Sequence, residues 1–307
     1  MKRIILTIAL GYSCVIAPLL ANEGLQNPIG VFIDLITELE EIRNYELVYS
    51  EEILPIAANE MSEVAQSEYH IIWQNKKYYV NAKFSSIKND EEYISEREWA
   101  YDGDSFQSFM SRYNSLHLSK HPPKEKSILY PKPLKSNPLS LVFRFLPIRG
   151  EVDLQGFLAT KEDLLFLLEP NEDKTIDFKE KANLKIITIT YLNNEPPRGY
   201  RYSITLENTK DTYRIKQWSL HHSRGIRTNH EFVYNETDAD NMVAVYLPKE
   251  IKKSMELNGQ LTSKSIIIVD QKRSAINYSS DLPIERFMID STKASKITDE
   301  GLKIDIR

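Results

Sequence analysis

Gly199-Tyr200-Arg201-Tyr202-Ser203-Ile204-Thr205-Leu206 alternates without a break. Tyr200, Tyr202, Ile204 and Leu206 fall on one side of an extended chain, and Arg201, Ser203 and Thr205 on the other. Successive strand side chains point to opposite faces, so the stretch predicts a strand with one buried and one solvated face. The same period of two recurs at Lys77 to Phe84, where Tyr78, Val80, Ala82 and Phe84 share a side. With Tyr69 to Gln74 this segment predicts a hairpin around Asn75-Lys76.

Further strands are expected at Tyr45 to Tyr49, Tyr93 to Tyr101, Asn114 to Leu118, Leu184 to Tyr191, Thr212 to Leu220, Thr228 to Tyr234, Met242 to Leu247, Lys264 to Asp270 and Glu285 to Ile289. Asp102-Gly103 predicts a tight turn, because the primed hairpin turns require positive φ. A two-residue loop there sets Trp99 opposite Phe106. The links between neighbouring strands are polar and too short for helical crossovers, which favours antiparallel pairing.

Helices are fewer. Asn27-Pro28 opens one in which Val31, Leu35 and Leu39 recur every four residues, joined by Phe32 and Ile36. Thr160 is a natural N-cap for a second, from Lys161 to Leu168. Between residues 121 and 150, Pro122, Pro123, Pro131, Pro133, Pro138 and Pro147 forbid regular strand pairing. The fold class is therefore α+β: one long curved antiparallel sheet, preferred to two separate domains because neither block of strands closes a core alone.

The first 21 residues have the layout of a secretory signal peptide. Lys2 and Arg3 form the positive region, Ile4 to Leu10 the apolar core, and Ala21 the small residue before the cut. The expected location is periplasmic or extracellular. Lipid anchoring through Cys14 is the alternative, but Gly11 stands where a leucine is usual. Cys14 is the chain's one cysteine, so the exported form has no thiol, no disulfide and no cysteine-held metal. No later segment approaches the roughly 20 apolar residues of a membrane span. The net charge is -5, with basic residues interspersed among acidic ones. That speaks against nucleic acid as a partner.

Candidate chemistry is sparse. There is no Gly-x-Ser-x-Gly and no glycine-rich phosphate loop. His117 and His121 have a helical metal spacing but straddle a strand end before Pro122. His221, His222 and His230 converge only if a hairpin at Ser223-Arg224-Gly225 brings them together, and a metal-assisted hydrolase is the third functional reading. Glu96/Glu98 and Asp102/Asp104 are acidic pairs of the kind glycosidases use, placed here beside a turn. Asn235-Glu236-Thr237 and Asn277-Tyr278-Ser279 are glycosylation sequons. No cofactor and no bound metal are expected. The aromatics, 17 Tyr, 11 Phe and 3 Trp, fall largely in the strands. They predict a sheet face able to hold an apolar ligand.

Together with the leading helix, four segments carry a resemblance: Glu98-Trp99-Ala100-Tyr101-Asp102-Gly103, Asn137-Pro138-Leu139, Val245-Tyr246-Leu247-Pro248 and Asp281-Leu282-Pro283-Ile284-Glu285-Arg286-Phe287. The chain resembles the LolA/LolB-like superfamily of periplasmic lipoprotein carriers and their larger secreted bacterial relatives. The resemblance implies an unclosed half-barrel with helices covering its concave face, and an apolar interior for acyl chains. It implies a signal peptide over 1–21 and one domain over 22–307, with a proline-rich helical insertion at about 121–180. The family's interior arginine has a candidate in Arg97, on the face of Trp99. The expected function is non-enzymatic binding of a lipid, lipoprotein acyl chain or other apolar ligand by Val80, Phe84, Trp99, Phe106, Tyr200, Tyr202 and Ile204. The alternative is a structural or protein-interaction module of the envelope, with an envelope protein as partner and no small ligand.

Overall fold

In a computed structural model, the residues described are 28–40, 44–54, 65–75, 77–88, 91–120, 168–169, 172, 174–191, 200–209, 213–222, 224–235, 247–276, 281–299 and 304–305. The expected signal peptide with Cys14, the segment 121–167 with Asn137-Pro138-Leu139, most of Met242 to Leu247, and Asn277-Tyr278-Ser279 lie outside them.

Alternating apolar residues build the strands. These are β1 (Asn44–Ile53), β2 (Ala65–Gln74), β3 (Lys77–Lys88), β4 (Glu91–Tyr101), β5 (Phe106–Met110), β6 (Ser115–Ser119), β7 (Lys174–Lys181) and β8 (Leu184–Tyr191). They continue with β9 (Tyr200–Asn208), β10 (Tyr213–His222), β11 (Ile226–Val233), β12 (Glu250–Leu257), β13 (Gln260–Val269), β14 (Ala275–Ile276), β15 (Lys296–Asp299) and β16 (Ile304–Asp305).

All belong to one sheet, ordered β16-β15-β6-β5-β4-β3-β2-β1-β13-β12-β11-β10-β9-β8-β7, with β14 beside β1. From β1 the chain steps outward to β6. It resumes at the far edge as β7 and steps inward until β13 pairs with β1. Among the described residues, the pairing of β15 with β6 is the one parallel ladder. The order ends at β7 and β16 without joining them, so the sheet is large, unclosed and antiparallel with few helices, consistent with an open half-barrel.

Every second side chain enters one core. In β8, Ile187, Ile189 and Tyr191 are buried while their neighbours are half-exposed. The single long helix of the described residues, α1 (Pro28–Glu40), lies on this inner face against β8 and β10 and buries Val31, Phe32 and Leu35. Pro28 costs α1 nothing at its first position, where the missing N–H has no helical partner.

The outer face of β1–β6 carries the C-terminal segment 281–299 as a strap. The Leu282 N–H donates to Gln74 Oε1 at 2.8 Å, and the Ile289 N–H to Gln107 Oε1 at 2.8 Å. Arg286 reaches Glu46 at 2.9 Å and Lys293 reaches Glu98 at 2.6 Å. Ile289 and Ala294 pack on Ala100, Phe109 and Leu116, forming a second, smaller core.

Four expectations are corrected. Glu285 to Ile289 is not a strand: Ile284–Phe287 is a 3-10 turn entered from Pro283 and buries Phe287. Trp99 lies opposite Ser108, and Phe106 opposite Tyr101. The loop holds four residues, because the Asp102 carboxylate caps the N–H groups of Asp104 and Ser105, each at 2.8 Å. Lys174–Lys181, assigned to the insertion, is the edge strand β7. Glu250–Leu257, unassigned in the sequence reading, is β12.

The strap rests on Phe287, which is fully buried. Phe287→Ala is expected to lower stability by about 3–5 kcal/mol, read as a drop in the urea midpoint. A change within about 0.5 kcal/mol would show that the strap is not part of the cooperative fold.

Candidate functional site

The inner face is aromatic across both halves of the sheet. Tyr45, Trp73, Tyr78, Tyr101 and Phe106 occupy successive register positions on β1 to β5. Their rings follow the ladder: Tyr45 to Trp73 at 6.5 Å, Trp73 to Tyr78 at 6.1 Å, and Tyr78 to Tyr101 at 5.7 Å. One turn along, Tyr49 stacks on Tyr69 at 4.8 Å, and Tyr69 meets the edge of Phe84 at 6.0 Å. Neighbouring aromatics in a sheet attract beyond their area burial.

Of the expected ligand-binding residues, Val80, Trp99, Phe106, Tyr202 and Ile204 are buried in this one core, with Phe84 packed half-buried at its margin. Val80 faces Trp99 directly across β3 and β4. Ile204 faces Trp218, and Tyr202 meets Tyr191 at 6.0 Å. Tyr200 begins β9, with its side chain outside the described residues. Arg97, on the same face as Trp99, lies exposed with its guanidinium 5.8 Å from the Phe84 ring.

A polar row of Ser265, Lys253 and His230 on β13 to β11 crosses the inner face beside the seam of the two halves and continues in register as Trp218 and Ile204 on β10 and β9. Lys253 pairs with Glu51 at 2.7 Å, and Ser265 Oγ donates to the same carboxylate at 3.3 Å. His230 stacks on Trp218 at 4.0 Å. Burial, and after it the Lys253 charge, hold the His230 pKa well below its ordinary value. Sequence reasoning missed this row because Lys253 interrupts an otherwise apolar alternation.

The three histidines do not converge. His221 is exposed on the outer face, whereas His222 and His230 are buried. His230 lies level with Trp218, a full four residues from His222 along β10. His222 Nδ1 instead accepts the Arg224 N–H at 3.0 Å. Among the described residues no three His, Cys, Asp or Glu side chains are placed to hold a metal ion. The acidic pairs are engaged as well. Glu98 accepts from Tyr79 Oη at 2.7 Å and from Lys293, and Glu96 accepts from Asn81.

On the outer face of β1–β4 a groove of about 360 Å³ is lined by His70, Tyr79, Lys83, Glu96, Arg273 and Lys293. Its charges are largely satisfied within the fold. His70 contacts Glu46 at 2.6 Å, and this hydrogen bond, helped by Arg286, keeps the Glu46 carboxyl below its usual range despite partial burial. Burial, then the Glu98 carboxylate, push the Tyr79 hydroxyl above the usual phenol range.

No protein-family model and no curated protein matches the chain. Among solved structures it is similar to a LolA superfamily protein from Nitrosomonas europaea, at 9% identity over 83% of this chain and 96% of that one, with a TM-score of 0.37. It is also similar to a DUF1329 family protein from Desulfovibrio piger, at 11% identity over 83% and 95%, TM-score 0.37. A third similar structure, described as an outer membrane lipoprotein-sorting protein domain, comes from Vibrio parahaemolyticus, at 10% identity over 81% and 93%, TM-score 0.34.

His230 supplies a pH test of the polar row. The folded chain keeps this ring neutral, while the unfolded chain protonates it below about pH 6.5. The stabilisation is therefore complete above that pH and drains away as pH falls toward the depressed folded value. Between pH 6.5 and 5 the wild-type chain is expected to lose up to about 1.4 kcal/mol per pH unit more than His230→Phe. Equal slopes in urea titrations would mean that the folded ring takes up the proton freely.

Proposed function

We propose that this chain is a non-enzymatic, exported protein of the cell envelope that binds a lipid, a lipoprotein acyl chain or another apolar ligand on its inner sheet face. One observation carries the reading: a single apolar face runs through both halves of a sheet whose edges do not meet. A small closed barrel can fill its interior with its own side chains. An open one leaves that task to separate segments, which can be exchanged for a ligand.

α1 anchors itself through Val31, Phe32 and Leu35, together worth roughly 5–9 kcal/mol of burial. An acyl chain of about 16 carbons gains roughly 12 kcal/mol at ~0.8 kcal/mol per buried CH2, less an association cost of about 4 kcal/mol or more. The two are of the same order, so helix and acyl chain compete for one face, and Val80, Phe84, Trp99, Phe106, Tyr200, Tyr202 and Ile204 would line the site of a bound chain. Export follows from the signal-peptide layout of residues 1–21. Among the described residues, no helix is long and apolar enough to cross a membrane.

The burial of Val80 and Ile204, each at most 1% exposed, favours a second reading. An envelope interaction module with a permanently covered face needs no ligand.

Native mass spectrometry of the exported protein, purified without detergent, separates the two. A co-purifying lipid or acyl species is expected, together with uptake of a fluorescent fatty acid. Phe84→Asp, at the half-buried margin, is expected to weaken that uptake at least about tenfold, the equivalent of 1.4 kcal/mol. A bare protein mass with no uptake would favour the interaction module.

A further inference from the structure

On the outer face of β9–β12, three basic residues from different strands share one register row. Arg201 faces His221 across β9 and β10, and His221 faces Arg227 across β10 and β11. The two guanidinium groups stand on either side of His221, each one strand away from it. Glu256 follows on β12 opposite Arg227. Among the described residues, neither arginine is drawn into an ion pair or side-chain hydrogen bond. The groove over β1–β4 differs, because there Glu46 and Glu98 hold the facing cations.

The next row inward on the same face is neutral and rich in hydroxyls. Thr188, Ser203, Ser219, Asn229 and Ser254 face one another in sequence across β8 to β12. Arg201, His221 and Arg227 line a groove of about 490 Å³ together with Ser203, Ser219 and Glu256. Its end is closed by two hairpin turns that touch: the Asn258 N–H donates to the Gly225 carbonyl at 2.8 Å. Gly225 has φ +79°, and a Cβ there would lie 2.0 Å from Asn258 Oδ1. Only glycine lets these turns meet.

We infer that this groove binds a phosphate group. Planar guanidinium forks from two sides match the oxygens of a phosphate, and serine hydroxyls complete its donor shell. The volume suits one phosphate-bearing group rather than a polyanion. This site lies on the opposite side of the sheet from the apolar face and does not rest on lipid binding there.

The test titrates the full exported chain with inorganic phosphate and glycerol 3-phosphate by calorimetry. Flotation with vesicles of phosphatidic acid in phosphatidylcholine, against phosphatidylcholine alone, runs alongside. Saturable binding of either soluble phosphate assigns the site to a free phosphate or its ester. Binding to phosphatidic acid vesicles alone assigns it to a lipid headgroup. In both cases Arg201→Gln and Arg227→Gln are each expected to weaken binding about tenfold or more. Both arginines are exposed, so the variants should keep the wild-type unfolding midpoint. Ser219→Ala should weaken binding less. Failure of every phosphate probe to bind, or undiminished binding by the folded Arg201→Gln/Arg227→Gln variant, overturns the assignment.

Discussion

The ladder between β1 and β13 joins strands about 220 residues apart in the chain, from Tyr49 opposite Val269 to Ile53 opposite Ser265. Without it the chain has two separate meanders, each with its inner face half open. Several devices hold the junction. The Asp270 N–H reaches the Val48 carbonyl at 2.8 Å. Ser274 Oγ accepts the Val48 N–H at 3.1 Å and donates to the Asp270 carbonyl at 2.8 Å. This turn lets β14 continue alongside β1 past the interruption. Closing so long a loop costs little more than closing a short one, since the entropy grows only logarithmically. The penalty falls on rate instead, because non-local pairing must form before it is rewarded.

From that junction the two faces acquire different fates. Inner side chains from both halves merge into one core with α1, whereas the outer face is treated unequally. Over β1–β6 the strap supplies Arg286 and Lys293 to Glu46 and Glu98, and apolar cover to Phe109 and Leu116. Glu98 is 1% exposed. A carboxylate buried to that degree requires its cation and its tyrosine donor. Over β9–β12 no strap residue is described, and the basic row there faces the groove. The C-terminal segment thus supplies cations to the carboxylates of one outer half, whereas on the other Glu256 of β12 faces Arg227.

Much of this architecture was legible. Alternation located β8 at its observed limits and β9 and β10 within two residues, and the four-residue period located α1. What escaped had specific causes. β7 is an edge strand whose Asp, Lys and Glu residues blunt its free side, which hides its period. β12 places Lys253 at an inward position, so its pattern reads as polar. Asn258-Gly259, a strong hairpin signal, would have revealed both β12 and the start of β13. The Asp102 loop was misjudged by two residues because its carboxylate caps the turn, a choice the dipeptide does not announce. Of the residues expected to bind a ligand, Val80, Trp99, Phe106, Tyr202 and Ile204 share one core, and their degree of burial depends on what packs over them. The basic row was invisible in principle. Arg201, His221 and Arg227 are scattered in sequence and become neighbours only through register.

Lys253 and Glu51 illustrate why such an interruption is kept. A buried ion pair seldom adds stability over a well-packed apolar pair, but removing one partner leaves a costly charge. Glu51 belongs to β1 and Lys253 to β12, with β13 between them and Ser265 donating to the same carboxylate. A one-residue slip of β13 or β12 would turn Ser265 or Lys253 to the outer face and strand Glu51 inside. The apolar rows tolerate slippage by two residues, because Ile, Tyr and Val recur at every second position. The ion pair does not, because it has one partner on each side. It therefore specifies the register at the seam of the two meanders.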